Sequence, residues 1–169
     1  MEERGTLVFF CGKMGAGKTT EAKRLVQELS AVLLSEDEWL AKLFPEEIND
    51  FEDYIKYSRR LKSILLHHIQ GLLKMGTSVV LDFPGNTKKQ RQWFKTILAD
   101  SEVTHQLIYL DVPDEVCLKR LSIRREEQPE RAKFDTEEVF KQVTAYSEAP
   151  TEDEDFNVIA GQASITENR

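Results

Sequence analysis

The chain has 169 residues, a length that fits one domain with a sizeable core. Its 40% hydrophobic and 31% charged residues fit a soluble globular protein rather than a disordered one. The formal net charge of −7 argues against a broad nucleic-acid surface, because phosphate contacts require a basic excess, although a small local basic site stays open.

Apolar runs alternate with helical patterns along the chain. The short charged stretch 1–6 is followed by no signal-like or membrane-spanning run, so a cytoplasmic protein without a membrane partner is expected. Residues 7–11 predict a first strand, and 18–30 a helix with Ala22, Leu25, Val26 and Leu29 at helical spacing. A second strand is predicted at 31–34 and a short helix at 36–44, stopped by Pro45. A long helix follows at 51–74, with Tyr57, Leu61, Ile64, Leu65, His68 and Leu72 as its apolar stripe and Gly76 as its terminator. Residues 78–83 predict a third strand, 88–99 a helix, and 106–110 a fourth strand. Pro113 opens another helix, 126–135 reads as a polar loop, 136–147 as a helix and 156–160 as a fifth strand. The two cysteines, Cys11 and Cys117, sit in apolar or helical patterns and read as buried thiols of a reducing compartment. Alternating strands and helices predict a parallel sheet with helices on both faces, in a single domain spanning 1–169 with its core at about 6–160.

The sharpest motif is Gly12-Lys13-Met14-Gly15-Ala16-Gly17-Lys18-Thr19, which fits G-x-x-x-x-G-K-[ST] without a mismatch. Glycines let the backbone curl so that several N–H groups share one concavity, and the following helix adds its positive end. Such a loop holds the phosphates of a nucleoside triphosphate. Lys18 reaches for the β- and γ-phosphates, the Thr19 hydroxyl ligates Mg²⁺, and Thr20 completes the nucleotide-binding set. The alternative, a chance glycine-rich turn, conflicts with the motif's place between a predicted strand and a predicted helix.

Three later features carry chemistry. Leu34-Ser35-Glu36-Asp37-Glu38 sets acids at the end of the second strand; Ser35 and Glu38 also have capping-box spacing, in which case Asp37 merely favours the helix dipole. Val79-Val80-Leu81-Asp82 is an apolar strand ending in a carboxylate, either a metal ligand or a plain strand-ending residue before Pro84-Gly85. Arg120 and Arg124 share a helix face at i and i+4, as phosphate and base ligands or as a solvated basic face.

In this order and spacing the chain resembles the small P-loop kinases: polynucleotide kinase, zeta toxin, chloramphenicol phosphotransferase, gluconate kinase and, more distantly, adenylate kinase. The resemblance runs from Leu7 to about Ile159. It implies a three-layer α/β/α P-loop NTPase fold with a five-stranded parallel sheet of order 2-3-1-4-5. It implies transfer of the γ-phosphoryl group of ATP to a hydroxyl, with Asp37 as base (Glu36 if the register is off), Asp82 with Thr19 on Mg²⁺, Arg120 on the nucleotide, and Arg124 on the transferring group. The loop 126–135, with Arg131 and Lys133, looks like a shortened lid, and the stretch before the fifth strand lies against the adenine in related kinases. The arginines that clamp a phosphorylated acceptor in relatives are absent. Phe83-Pro84-Gly85-Asn86-Thr87 carries none before Arg91, and Trp39-Leu40 follows the acids. An uncharged small-molecule hydroxyl acceptor is therefore expected, with Trp39, Phe44 and Trp93 as candidate lining. The rivals are a nucleotide-dependent switch without an acceptor and a nucleic-acid 5′-hydroxyl kinase. His67-His68 lacks metal-ligand spacing and reads as packed or half-exposed, while Arg59-Arg60, which could face the acceptor cleft from the long helix, reads first as a solvated or ion-paired couple.

Overall fold

The computed structural model describes residues 3–99, 103–129, 132 and 134–161. Five strands, β1 (Thr6–Gly12), β2 (Val32–Ser35), β3 (Val79–Asp82), β4 (Thr104–Leu110) and β5 (Val158–Ala160), form one sheet of order β2-β3-β1-β4-β5. All four pairings are parallel, as the expected order 2-3-1-4-5 requires. The central strands are apolar on both faces because helices cover both.

Alternation along β1 sorts the core into two layers. Leu7, Phe9 and Cys11 face one side with Leu61, Leu65, Ile69 and Leu73 of α3 (Phe51–Lys74) and Phe94 and Ile97 of α4 (Lys88–Ile97). Leu40 of α2 (Glu36–Leu43) joins that layer. Val8 and Phe10 face the other side, with Ala22 and Leu25 of α1 (Lys18–Leu29), Cys117 and Leu121 of α5 (Asp114–Glu127), and Phe140 of α6 (Glu137–Thr144). Both cysteines are buried free thiols, one in each layer.

Several elements differ from their sequence reading. The buried stripe of α3 is Ser58, Leu61, Leu65, Ile69 and Leu73; Ile64 is 72% exposed and His68 lies on the outer face. The stripe therefore turns away from Ile64 and His68 and takes in a serine, for which the site supplies a reason. The capping box expected at Ser35 does not form, since the Ser35 side chain caps nothing. The polar character of 126–135 conceals two more helical residues, so α5 runs to Glu127. Elsewhere the caps follow composition: the Asp50 side chain accepts from the Asp53 N–H, and Thr87 with Gln90 forms a full capping box on α4. No helix among the described residues is long and apolar enough to cross a membrane.

Candidate active site

The phosphate loop lies between the end of β1 and the start of α1. Gly15 and Gly17 have φ of 76° and 97°, left-handed values that a side chain would strain. At Gly15 there is also no room, since a Cβ would stand 2.6 Å from the Cys117 carbonyl oxygen. The loop is held from several directions. The Gly12 N–H donates to Asn86 Oδ1 at 2.8 Å, and the Arg120 guanidinium donates to the Gly15 carbonyl at 3.3 Å. Lys13 pairs with Asp114 at the start of α5. Lys18 and Thr19 open α1 behind Ala16, which is buried, and Thr20 is exposed.

Beneath the loop, the Thr19 hydroxyl donates to Asp82 Oδ2 at 2.9 Å. A hydroxyl and a carboxylate side by side at a phosphate site suit a hard divalent cation such as Mg²⁺, which takes oxygen ligands. Asp82 is register partner to Ser35 on β2, so the acids after Ser35 begin at the neighbouring strand end.

Glu36 and Asp37 diverge there. Glu36 is fully buried and accepts from Ser58 Oγ at 2.7 Å and from the Tyr54 hydroxyl, both on α3. This contact is why Ser58 lies in the apolar stripe. Burial first, and the Glu36 charge second, push the Tyr54 phenol well above its usual range. Lys62, one turn beyond Ser58, has its ammonium lowered by burial and stands 5.4 Å from the centre of the Trp93 ring. Asp37, by contrast, is exposed on the first turn of α2.

The two arginines of α5 also diverge. Arg120 lies over the phosphate loop, close enough that a Cβ on Gly17 would meet its Nη1 at 3.1 Å. Arg124 points to Asp135, which is fully buried, through two hydrogen bonds of 2.7 Å. Arg125 donates to the Asp135 carbonyl at 2.5 Å, so the far end of the 126–135 loop is pinned to α5. Arg131 and Lys133 lie outside the described residues. The three aromatic candidates each have their own neighbours, and Phe44 and Trp93 both pack against the core layer of Phe9 and Leu61. Trp39 faces a shallow groove with Leu43, Phe44 packs on Tyr57 at 4.4 Å, and Trp93 packs on Phe83 at 5.1 Å.

The AAA-domain family model matches residues 7–150, the stretch that carries every element above from β1 to α6. The chain belongs to this family of P-loop proteins. An adenylate kinase of Prochlorococcus marinus (strain MIT 9301) is 30% identical over 142 residues, covering 79% of this chain and 74% of that protein. Among solved structures, a protein of Chloroflexus aurantiacus J-10-fl superposes with TM-score 0.77 at 16% identity, over 99% of this chain and 92% of that one. The Mycobacterium tuberculosis APS kinase CysC, in complex with AMPPNP and APS, superposes with TM-score 0.59 at 21% identity, over 88% of this chain and 85% of that one. At these identities the two structures bear on the fold. The chain is thus a P-loop kinase-like, ATP-binding family member.

Within this AAA-domain frame, two residues outside the motifs organise the site's edge. Arg91 is fully buried and grips Glu154 through Nε at 2.8 Å and Nη2 at 2.9 Å. Its Nη1 donates to the carbonyls of Gly85 and Glu148 at 2.9 and 2.8 Å and lies 3.6 Å from Cys11 Sγ. Asn86 is the other, through its bond to Gly12. Neither stands out in the sequence, where Arg91 reads as one more basic residue in a charged helix and Asn86 as a turn residue. A polar residue in the register of an apolar stripe, Ser58, was the one signal available for the Glu36 cluster.

Proposed function

We propose that this chain transfers the γ-phosphoryl group of ATP to a hydroxyl of a small-molecule acceptor. The observation that carries this reading is the convergence at two adjacent strand ends. The phosphate loop stands over the Thr19–Asp82 pair, and Ser35, the register partner of Asp82, leads directly into Glu36 and Asp37. Thr19 and Asp82 would hold Mg²⁺, which supplies charge neutralisation at the phosphates when bound. Lys18 binds the β- and γ-phosphates, and Arg120, already on the loop, binds the nucleotide from the other side. Asp37, the exposed acid of the pair, takes the acceptor's proton. The acceptor oxygen bonds to the γ-phosphorus, the bond from that phosphorus to the β–γ bridging oxygen breaks, and ADP leaves. Arg124 stabilises the transferring group once released from Asp135.

An uncharged acceptor is favoured by the burial of Arg91. The arginine nearest the position where relatives clamp an acceptor phosphate is committed to Glu154 and two carbonyls. The net charge of −7 weighs against a nucleic-acid end as acceptor. The test is a screen of hydroxyl compounds, nucleosides and oligonucleotide ends for ATP-dependent phosphate uptake, with Lys18→Ala as the blank. Uptake by an uncharged hydroxyl compound above that blank supports the reading. ATP hydrolysis with no acceptor above the blank favours a nucleotide-dependent switch.

A further inference from the structure

The segment after β3 ties together parts of the site that are distant in sequence. Asn86 is 9% exposed, and its Oδ1 holds the N–H of Gly12, the first residue of the phosphate loop. Its backbone carbonyl accepts from the Glu148 N–H at 2.7 Å, and its own N–H donates to Gln90 Oε1 at 2.8 Å. Arg91 fixes the same stretch from behind by holding the carbonyls of Gly85 and Glu148 together, while Glu154 anchors its other edge. Gly85 lies so close to β1 that a Cβ there would stand 2.3 Å from the Phe10 carbonyl oxygen. The entry to the phosphate loop, the exit from β3 and the 148–154 segment are therefore one hydrogen-bonded block.

We propose that Asn86 and Arg91 are positioning residues for the phosphate loop, setting the Gly12 peptide in its triphosphate-binding orientation before any ligand arrives. A loop that must aim several N–H groups into one concavity loses conformational freedom on binding, and fixing it beforehand removes that loss from the affinity. Asn86 orients the first peptide directly. Arg91 does so through Gly85 and Glu148, which hold Asn86 in place. The inference rests on the reading of Gly12–Thr19 as a triphosphate site.

The test measures binding of MgATP and of magnesium tripolyphosphate by calorimetry, with unliganded melting temperatures taken alongside. Asn86→Ala leaves the buried Gly12 N–H unsatisfied and is expected to weaken both ligands by about tenfold. Equal loss for the two places the effect at the phosphates rather than the base. Gln90→Ala, a milder change that frees the Asn86 backbone, is expected to weaken both by about threefold and serves if Asn86→Ala does not fold. Ile69→Val, a core change on α3 away from the loop, is expected to lower the melting temperature and leave both affinities unchanged. Wild-type affinities in Asn86→Ala or Gln90→Ala would overturn the proposal, as would an equal loss in Ile69→Val. Lys18→Ala separates the two readings. If it binds ATP normally, the triphosphate site itself fails; if it loses binding while Asn86→Ala and Gln90→Ala do not, only the positioning role fails.

Discussion

Thr19 Oγ1 and Asp82 Oδ2 lie 2.9 Å apart although 63 positions separate them in the chain. One comes from the first turn of α1 and the other from the last residue of β3, so the pair exists only when both elements dock on the sheet. Asp82→Asn and Thr19→Ala are each expected to weaken Mg²⁺-dependent ATP binding by at least about tenfold. The double variant should lose less than the product of the two, because both act on one cation. Titrations with and without Mg²⁺ check this; additive losses would separate the residues.

Glu36 and Asp37 should respond to substitution in opposite ways. Asp37→Asn is expected to abolish phosphoryl transfer with ATP affinity unchanged, since the residue is exposed on α2. Tyr54→Phe removes a hydroxyl from the buried Glu36 carboxylate and should cost about 1–3 kcal/mol of stability. Thermal unfolding together with a transfer assay distinguishes the two acids; transfer surviving in Asp37→Asn would remove it as the base.

The Arg91–Glu154 pair makes a stability prediction with a definite pH sign. The Arg91 guanidinium beside Glu154 holds its carboxyl below the usual value of 4.5, against the opposing effect of burial. Because the folded-state value is depressed, the stabilisation is complete above about pH 4.5 and fades as the pH falls through the lower folded value. The melting-temperature gap between wild type and Glu154→Gln should be constant from about pH 6 to 8 and shrink below about pH 4.5. Arg91→Met, which strands the carboxylate, should cost about 3–5 kcal/mol at neutral pH, with Arg91→Met/Glu154→Gln recovering part of it.

Asp135→Asn keeps the shape of the buried side chain and removes the charge that holds Arg124. The melting temperature is expected to fall by several degrees, on the order of 2–4 °C per kcal/mol for a chain of this size. If Arg124 also serves transfer, Arg124→Lys will slow turnover without changing ATP affinity, because lysine cannot reproduce the guanidinium's planar fork. Equal stability losses with unchanged turnover would leave Arg124 a purely structural clasp.

What the sequence revealed was whatever repeats in short range. The glycine spacing of the phosphate loop, the apolar runs of β1 and β3 and the glycine that ends α3 are local patterns, and the strand order followed from the resemblance they supported. What stayed hidden depends on partners that only the fold supplies. Ser58 is buried because Glu36 is opposite it, Arg91 because Glu154 and the carbonyls of Gly85 and Glu148 surround it, and His68 is exposed because α3 turns its stripe toward Ile69 instead. The neighbours Glu36 and Asp37 look alike in sequence, yet one faces α3 and the other solvent, a difference of helical phase that composition does not encode.

The position of β1 at the middle of the sheet has a bearing on how the molecule comes into being. As the chain leaves the ribosome, Leu7–Gly12 has no partner until Val79–Asp82 has been made, and no second one until Thr104–Leu110 follows. Until then residues as apolar as Phe9 and Phe10 lie on an unpaired strand, the kind of exposed edge that favours aggregation. The phosphate loop, which leaves the end of this strand, therefore gains both of its sheet neighbours only after Leu110 has been made.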